Sequence, residues 1–213
     1  MKKTVSFWSQ KKILKYVGAS RNKYEDLYLG EKILLNNYFK KRYSVLDIGC
    51  SQGGFIPILK KLNKNFKYQG LDFNQKILSI AKKKYPFFKF TKINDNKFLK
   101  YTKKKFDLVI IFGILHLNKD WKKIIKEAFK TTKKYLIFDL RETDRKILKK
   151  INMKIKDDDL SIPYFIHNEK KVEKFLKKNF NKKKIVKISY KGKATKYCNY
   201  KSEITFSNYC LYK

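Results

Sequence analysis

At 213 residues, with 43% hydrophobic and 16% aromatic side chains, the chain can bury a full domain core, which excludes a disordered polypeptide despite its charge. The formal net charge of +36 invites a nucleic-acid partner, yet among 54 basic residues only Arg21, Arg42, Arg141 and Arg145 are arginine. The others are lysines, poorer forks for bases and phosphates, and they accompany abundant Asn, Ile, Phe and Tyr, as codons rich in A and T would produce. Residues 1–12 carry lysines but no apolar run of the kind a secretory leader needs. The longest apolar stretch, 108–117, is interrupted by Gly113 and His116 and is too short for a bilayer. Cys50, Cys198 and Cys210 have no metal-like spacing and suit a reducing compartment. The expectation is a soluble, cytoplasmic protein with residues 1–213 in one domain.

In chain order, residues 7–19 read as a short helix broken at Gly18-Ala19-Ser20. Residues 22–41 read as a longer helix on Tyr24, Leu27, Tyr28, Leu34, Leu35 and Tyr38, so that 1–41 forms a helical cap. An apolar strand over 45–48 breaks into a glycine-rich loop, and a helix follows over 54–62 with Pro57 in its first turn. A strand over 68–73 leads to a helix capped by Asn74, with Ile77, Leu78 and Ala81 inward and Pro86 as its stop. Strands over 87–93 and 106–112 come next, the second nearly all apolar, as in a strand covered on both faces. Trp121, Ile124, Ile125, Ala128 and Phe129 mark an amphipathic helix, and 135–140 a fifth strand. Beyond it the pattern predicts a helix over 143–151, an irregular loop over 157–164 and a helix capped by Asn168 with Val172, Phe175, Leu176 and Phe180 on one face. Strands over 185–190 and 203–212 close the chain without a helix between them. Five β/α units predict an α/β fold: a doubly wound, mostly parallel seven-stranded sheet with helices on both faces and a C-terminal antiparallel hairpin.

In an open parallel sheet a ligand lies beyond the carboxyl ends of the strands. The residues there are Asp47 with Gly49-Cys50-Ser51-Gln52-Gly53, then Asp72-Phe73, Asn94-Asp95-Asn96 and Phe112-Gly113. An acid closing the second strand accepts hydrogen bonds from both ribose hydroxyls, or merely serves a helix N-terminus. The polar cluster after the third strand suits an adenine amino group, or a turn, and Phe73 offers a face for the base. The small-residue loop, Cys50 included, presents helix N-terminal N–H groups to an anion. The ligand implied is an adenosine with something at its 5′ end. NAD asks for G-x-G-x-x-G, and here that frame places Ser51 at the middle glycine and Asp47 just ahead of the loop, both disfavouring a pyrophosphate. An acid at 47 suits a sulfonium and an ammonium instead, unless it only caps loop amides.

These residues resemble a class I S-adenosylmethionine (SAM)-dependent methyltransferase. Val45-Leu-Asp47-Ile-Gly49-Cys-Ser-Gln-Gly53 is similar to that family's first motif, Gly-Leu-Asp72-Phe to its strand-2 acid, Ile-Asn94-Asp95 to its adenine contact, and 106–117 to its strand-4 block. The departure is Ser51, where many members have glycine. The resemblance implies a cofactor core at 43–140, substrate-side elements and the final hairpin at 141–213, and SAM as the cofactor. It also implies methyl transfer to an oxygen or nitrogen nucleophile by in-line displacement, with no metal. The block of base-methylating members, Asn/Asp-Pro-Pro-aromatic, is replaced here by Phe112-Gly113-Ile114-Leu115, and no Pro-Cys stands nearby, so a small-molecule, sugar or lipid-linked acceptor is favoured. An RNA methyltransferase, for which the lysines would be functional, and a non-catalytic nucleotide- or RNA-binding module with this fold are the other readings. His116, at the mouth of the pocket, is either a general base of near-neutral pKa or a packed histidine. His167 and the run Asp157-Asp158-Asp159 are weaker candidates, and Tyr24 and Tyr28 either lid the substrate or pack.

Overall fold

A computed structural model of the protein describes residues 21–145, 149–154, 161–181, 184–194 and 200–213, with the backbone alone at 149–154 and 161–162. The helix expected over 7–19, the Asp157–Asp159 run and Cys198 lie outside them. In chain order the elements begin with a 3-10 turn (Tyr24–Asp26), α1 (Leu29–Tyr38), β1 (Ser44–Ile48), α2 (Phe55–Leu62), β2 (Lys67–Asp72), α3 (Gln75–Lys84) and β3 (Lys89–Lys92). Then come α4 (Phe98–Thr102), β4 (Phe106–Ile111), a 3-10 turn (Leu115–Leu117), α5 (Trp121–Lys130) and β5 (Thr132–Thr143). The remaining elements are β6 (Lys149–Lys154), β7 (Ser161–Asn168), α6 (Glu169–Asn179), β8 (Ile185–Lys193) and β9 (Glu203–Tyr212).

The seven predicted strands lie in the order β3-β2-β1-β4-β5-β9-β8, the first five parallel and β9 antiparallel to both its neighbours. Side chains alternate across the sheet, so β1 sends Leu46 and Ile48 toward α4, α5 and α6, and Val45 toward α1, α2 and α3. Asn74 caps α3 by accepting from Lys76 N and Ile77 N at 3.0 and 3.4 Å, and Asn168 caps α6 by accepting from Lys171 N at 3.1 Å.

Three expectations need correction. The helix predicted over 22–41 starts only at Leu29, because Asp26 accepts from Asn22 N and Lys23 N while Glu31 accepts from Tyr28 N at 3.0 Å, and Leu27 and Tyr28 are extended. The helix predicted over 143–151 is absent where described: β5 runs on to Thr143 and Lys149–Lys154 is β6. The loop predicted over 157–164 yields at its described end to β7, which pairs antiparallel with β6. Pro163 argued against a strand there, but β7 meets β5 only at His167 and Asn168, and a strand with an edge left unpaired accommodates proline. Since β9 holds one edge of β5 from Tyr135 to Glu142, β7 joins the other edge, which β4 leaves after Phe138. The added hairpin therefore stands at the carboxyl ends of β4 and β5, beside the 3-10 turn that carries His116.

Candidate active site

The loop after β1 winds round the end of β2. Gly49 N and Cys50 N both donate to Leu71 O, at 2.8 and 3.1 Å, and Ser51 N donates to Asp72 Oδ2 at 3.0 Å. Asp72 Oδ1 accepts from Asn74 N at 2.9 Å, so one carboxylate ties the loop to the start of α3. Gly49, Ser51 and Gly53 take φ of +80, +49 and +77°. The two glycines adopt this region freely, whereas Ser51 holds it at a cost of about 1 kcal/mol. A Cβ on Gly49 would come within 2.8 Å of Ile114 Cγ2, so the segment leaving β4 closes directly on the loop. Ser51 Oγ is buried without a hydrogen-bond partner.

Behind the loop, the Tyr68 hydroxyl donates to Asp47 Oδ2 at 2.7 Å. Burial raises Asp47 to about 7; the Tyr68 bond works against this and the Asp72 charge adds to it. Asp72 is likewise pushed up by burial, while its amide partners pull it down. Cys50 Sγ is buried against Gly70, and desolvation lifts its thiol well above the usual range, so it is a packing residue and not a nucleophile.

The ends of β4 and β5 are built differently. Asp139, fully buried in β5, accepts from Gly113 N at 2.7 Å and from Arg141 Nη1 at 2.6 Å. Burial would raise this carboxyl, but Arg141 holds it below its ordinary value. Arg21 pairs with the buried Glu31 of α1 and lays its guanidinium 5.2 and 5.9 Å from the Phe55 and Phe112 ring centroids. Its Nη1 lies 3.0 Å from where a Gly113 Cβ would stand. Burial works against the Arg21 charge, yet the nearby carboxylates of Glu31 and Asp139 keep it firmly protonated. Tyr28 sits 5.1 Å from the Arg21 guanidinium and 5.5 Å from that of Arg141.

Thus the structure brings Asp47, Gly49, Cys50, Ser51, Gly53 and Asp72 together, and sets Phe112 and Gly113 beside Arg21. Phe73 is half-buried against the core at the end of β2. Asn94 and Asp95 are exposed; Asn94 N donates to the Tyr101 hydroxyl at 3.0 Å, and Asp95 Oδ1 closes a turn by accepting from Lys97 N at 2.8 Å, with Asn96 half-buried between. The two tyrosines separate: Tyr28 joins the arginines, while Tyr24 bonds Asn36 and carries Lys61 over its ring. His116 is buried with its ring 4.8 Å from that of Tyr164 and no partner for Nδ1. Of the two readings of His116, a near-neutral base or a packed histidine, its burial favours the second: burial first, then Arg141, pushes it down to about 3. His167 packs on Trp121 at 4.9 Å, away from the arginines, and burial lowers it to about 4. Arg21, Glu31, Asp139 and Arg141 were missed. The available signal was rarity, since Arg21 and Arg141 are two of four arginines in a chain that otherwise uses lysine.

A doubly wound sheet with a reversed next-to-last strand in space, a glycine loop after β1 and an acid closing β2 defines a class I SAM-dependent methyltransferase. The family model described as "Methyltransferase domain" matches residues 39–199, and the chain belongs to that family. No curated protein matches the chain in sequence. Among solved structures, a SAM-dependent methyltransferase from Methanosarcina mazei is similar with a TM-score of 0.62 and 16% identity over 87% of this chain and 97% of that one. The plantazolicin methyltransferase BamL, in complex with a desmethyl plantazolicin analogue and S-adenosylhomocysteine, gives 0.63 and 13% over 98% and 90%. Magnesium protoporphyrin IX methyltransferase from Synechocystis PCC 6803, with bound SAM, gives 0.54 and 17% over 84% and 74%. Among the described residues no helix is long and apolar enough to cross a membrane.

Proposed function

We propose that the protein methylates an oxygen or nitrogen of a small-molecule, sugar or lipid-linked acceptor. The observation that carries this is the polar cluster of buried Asp139, Arg141 and His116 with half-buried Arg21 at the ends of β4 and β5, beside Tyr28 and Tyr164 and next to the glycine loop. It has the burial of a small-molecule pocket, with few polar groups among aromatic walls. Two of the similar enzymes are named for, or bound to, small molecules: magnesium protoporphyrin IX and a plantazolicin analogue. Cys50 and Cys210 are free, buried thiols, which suits a cytoplasmic setting.

The residues present fit an adenosyl cofactor. Ser51 Oγ is an orphaned polar atom in the loop, Gly49 leaves no room for a side chain, and Asp72 keeps acceptor capacity beyond the amides of Ser51, Phe73 and Asn74. In this reading Asp72 holds the ribose, Asp47 attracts the ammonium end, and Phe73 with Asn94, Asp95 and Asn96 bounds the base. The backbone of 49–53 and of Phe112-Gly113 lines the cleft, and Arg21 supplies a cation for the methionine carboxylate. SAM supplies a methyl group on a positively charged sulfur, already a strong electrophile. The chain's own task is then to align the acceptor and exclude water, which is worth roughly 7–11 kcal/mol in well-oriented systems. His116, pushed down to about 3 by burial and Arg141, is a weak base and serves there as a hydrogen-bonding partner.

Calorimetric titration with SAM, S-adenosylhomocysteine and NAD tests the reading. Micromolar binding of the two adenosyl ligands without NAD is expected; silence with all three would sink it. A nucleic-acid acceptor has one observation in its favour, the shallow groove on α6 lined by Lys170, Lys174, Lys177 and Lys178 with Glu173. Turnover on RNA together with a steep loss of affinity in added salt would establish it.

A further inference from the structure

We propose that Arg141, with the Tyr190 hydroxyl and the His116 ring nitrogen, receives the carboxylate of a flat organic acid, so that the acceptor is a planar anion. The inference rests on the methyl-transfer reading above and names the chemical class of its acceptor.

Arg141 on β5 stands opposite Phe206 on β9, and Phe206 stands opposite Tyr190 on β8. Residues directly opposed on neighbouring antiparallel strands share a face, so the three form one row across the sheet. The Arg141 guanidinium carbon is 4.3 Å from the Phe206 centroid, and the Phe206 and Tyr190 rings stack at 5.2 Å with 9° between their planes. Tyr28 closes the row from above, 5.6 Å from Phe206. The row is therefore built of flat surfaces and holds the protein's own cation, whose Nη1 is engaged by Asp139. A positively charged acceptor would meet Arg141 head-on, whereas a flat anion meets its remaining donors beside an aromatic patch.

Hydrogen-bond accounting points the same way. Arg141 Nε, Tyr190 Oη, His116 Nδ1 and Arg21 Nε are all buried without a partner. Buried polar groups are almost always paired; Arg21 Nε faces the methionine carboxylate of the reading above, and Arg141 Nε, which only donates, with a phenol and an imidazole that can donate, marks a missing acceptor group. The local carboxylates do not supply it. Asp139 is taken up by Gly113 N and Arg141, and Glu31 by Arg21 and Tyr28 N. One buried acceptor of this region, Asn208 Oδ1, also lacks a partner, but its side chain lies against Gly30 beneath α1. His116 rests on Tyr164, which shares one cluster with Phe206 and Tyr190, and Phe206 carries the Arg141 guanidinium, so the three polar groups border one aromatic patch. A carboxylate offers lone pairs and no protons, in the plane that a guanidinium fork matches. An acid that arrives ionised also needs no base, which fits a buried histidine that is only a weak one.

The experiment is a titration of the full chain, saturated with S-adenosylhomocysteine, with benzoate, benzamide and benzylamine, followed by ligand-observed NMR. Benzoate is expected to bind at least about tenfold more tightly than benzamide, as a charge-assisted bond entails, and benzylamine not at all. Arg141→Lys keeps the charge but loses the fork, and Tyr190→Phe removes one donor from a half-buried site; each should weaken benzoate while shifting S-adenosylhomocysteine affinity less than about twofold. Tyr190→Phe keeps the test decisive where Arg141→Lys unfolds. Benzoate bound no better than benzamide, or equally by wild type and Tyr190→Phe, overturns the inference while leaving methyl transfer standing. Failure to bind S-adenosylhomocysteine at all brings down the methyl-transfer reading instead, and this inference with it.

Discussion

The two halves of the cleft hold their charges by different means. At the ends of β1 and β2, Asp72 is fixed by the backbone amides of Ser51 and Asn74, and everything that matters lies between Asp47 and Asn74. At the ends of β4 and β5, Asp139, Arg141, Arg21 and Glu31 pair mainly side chain to side chain, drawing on residues from the first described position to β9. A carboxylate held by main chain keeps its partners when neighbours change. One held by side chains depends on every member of its network. The first half is thus suited to a ligand that stays the same, the second to one that differs from enzyme to enzyme.

Breaking the second half should cost the most stability. Asp139→Ala leaves Arg141 buried without its counter-charge and Gly113 N without an acceptor, for an expected loss of about 3–5 kcal/mol in chemical unfolding. Asp72→Ala strands backbone amides but no buried charge and should cost about 1–3 kcal/mol. Equal losses for the two variants would erase the contrast between the halves.

In ligand binding the order reverses. Asp72→Ala should weaken SAM about 100-fold, the worth of two charge-assisted bonds to the ribose, with the fold retained; unchanged affinity by calorimetry would refute the assignment. Asp47 sharpens the picture through pH. Its folded-state value is raised from 3.8 to about 7, so the ionised form carries a penalty that is absent below the lower value and complete above the upper one. A cationic ligand stabilises the ionised form and drives a proton off wherever Asp47 is still protonated. SAM affinity should therefore rise with pH up to about 7 and level off above, with proton release detectable in buffers of different ionisation enthalpy. Asp47→Asn should flatten that profile. The smallest effect belongs to Ser51→Gly, which should stabilise the free protein by up to about 1 kcal/mol by relieving the left-handed backbone. If Ser51 Oγ is a ligand contact, the same change weakens SAM in the same titration.

Legibility followed the same division. Asp47, Gly49 and Asp72 could be read because a strand, a tight loop and a helix follow one another within a few residues, and the spacing alone places them at one edge. Arg21 and Arg141 could not, since nothing local says that residues 120 positions apart meet across Asp139. Asp139 and Arg141 sit two apart on a strand, a pattern that puts both on one face without saying which face is the site. The β6–β7 hairpin was lost because Pro163 hides the alternation, and the break before α1 because Glu31 caps backward onto Tyr28, a role its sequence position does not announce. The His116 position was legible; its protonation was not, because that depends first on burial and then on Arg141 from another strand.

The pairing of β5 with β9 carries a consequence for how the chain finds its fold. On one face Glu142 accepts from the Ser207 and Tyr209 hydroxyls, both at 2.6 Å, and on the other Arg141 stacks on Phe206. A slip of one residue between the two strands would turn every β9 side chain to the opposite face, burying Glu142 against Phe206 and Arg141 beside Ser207. Glu142 would lose both hydroxyl donors and Arg141 the ring it stacks on, so the misaligned sheet is penalised from both sides at once. These two contacts act as a ratchet on strand alignment, and the residues that shape the acceptor slot also select the one alignment in which that slot exists.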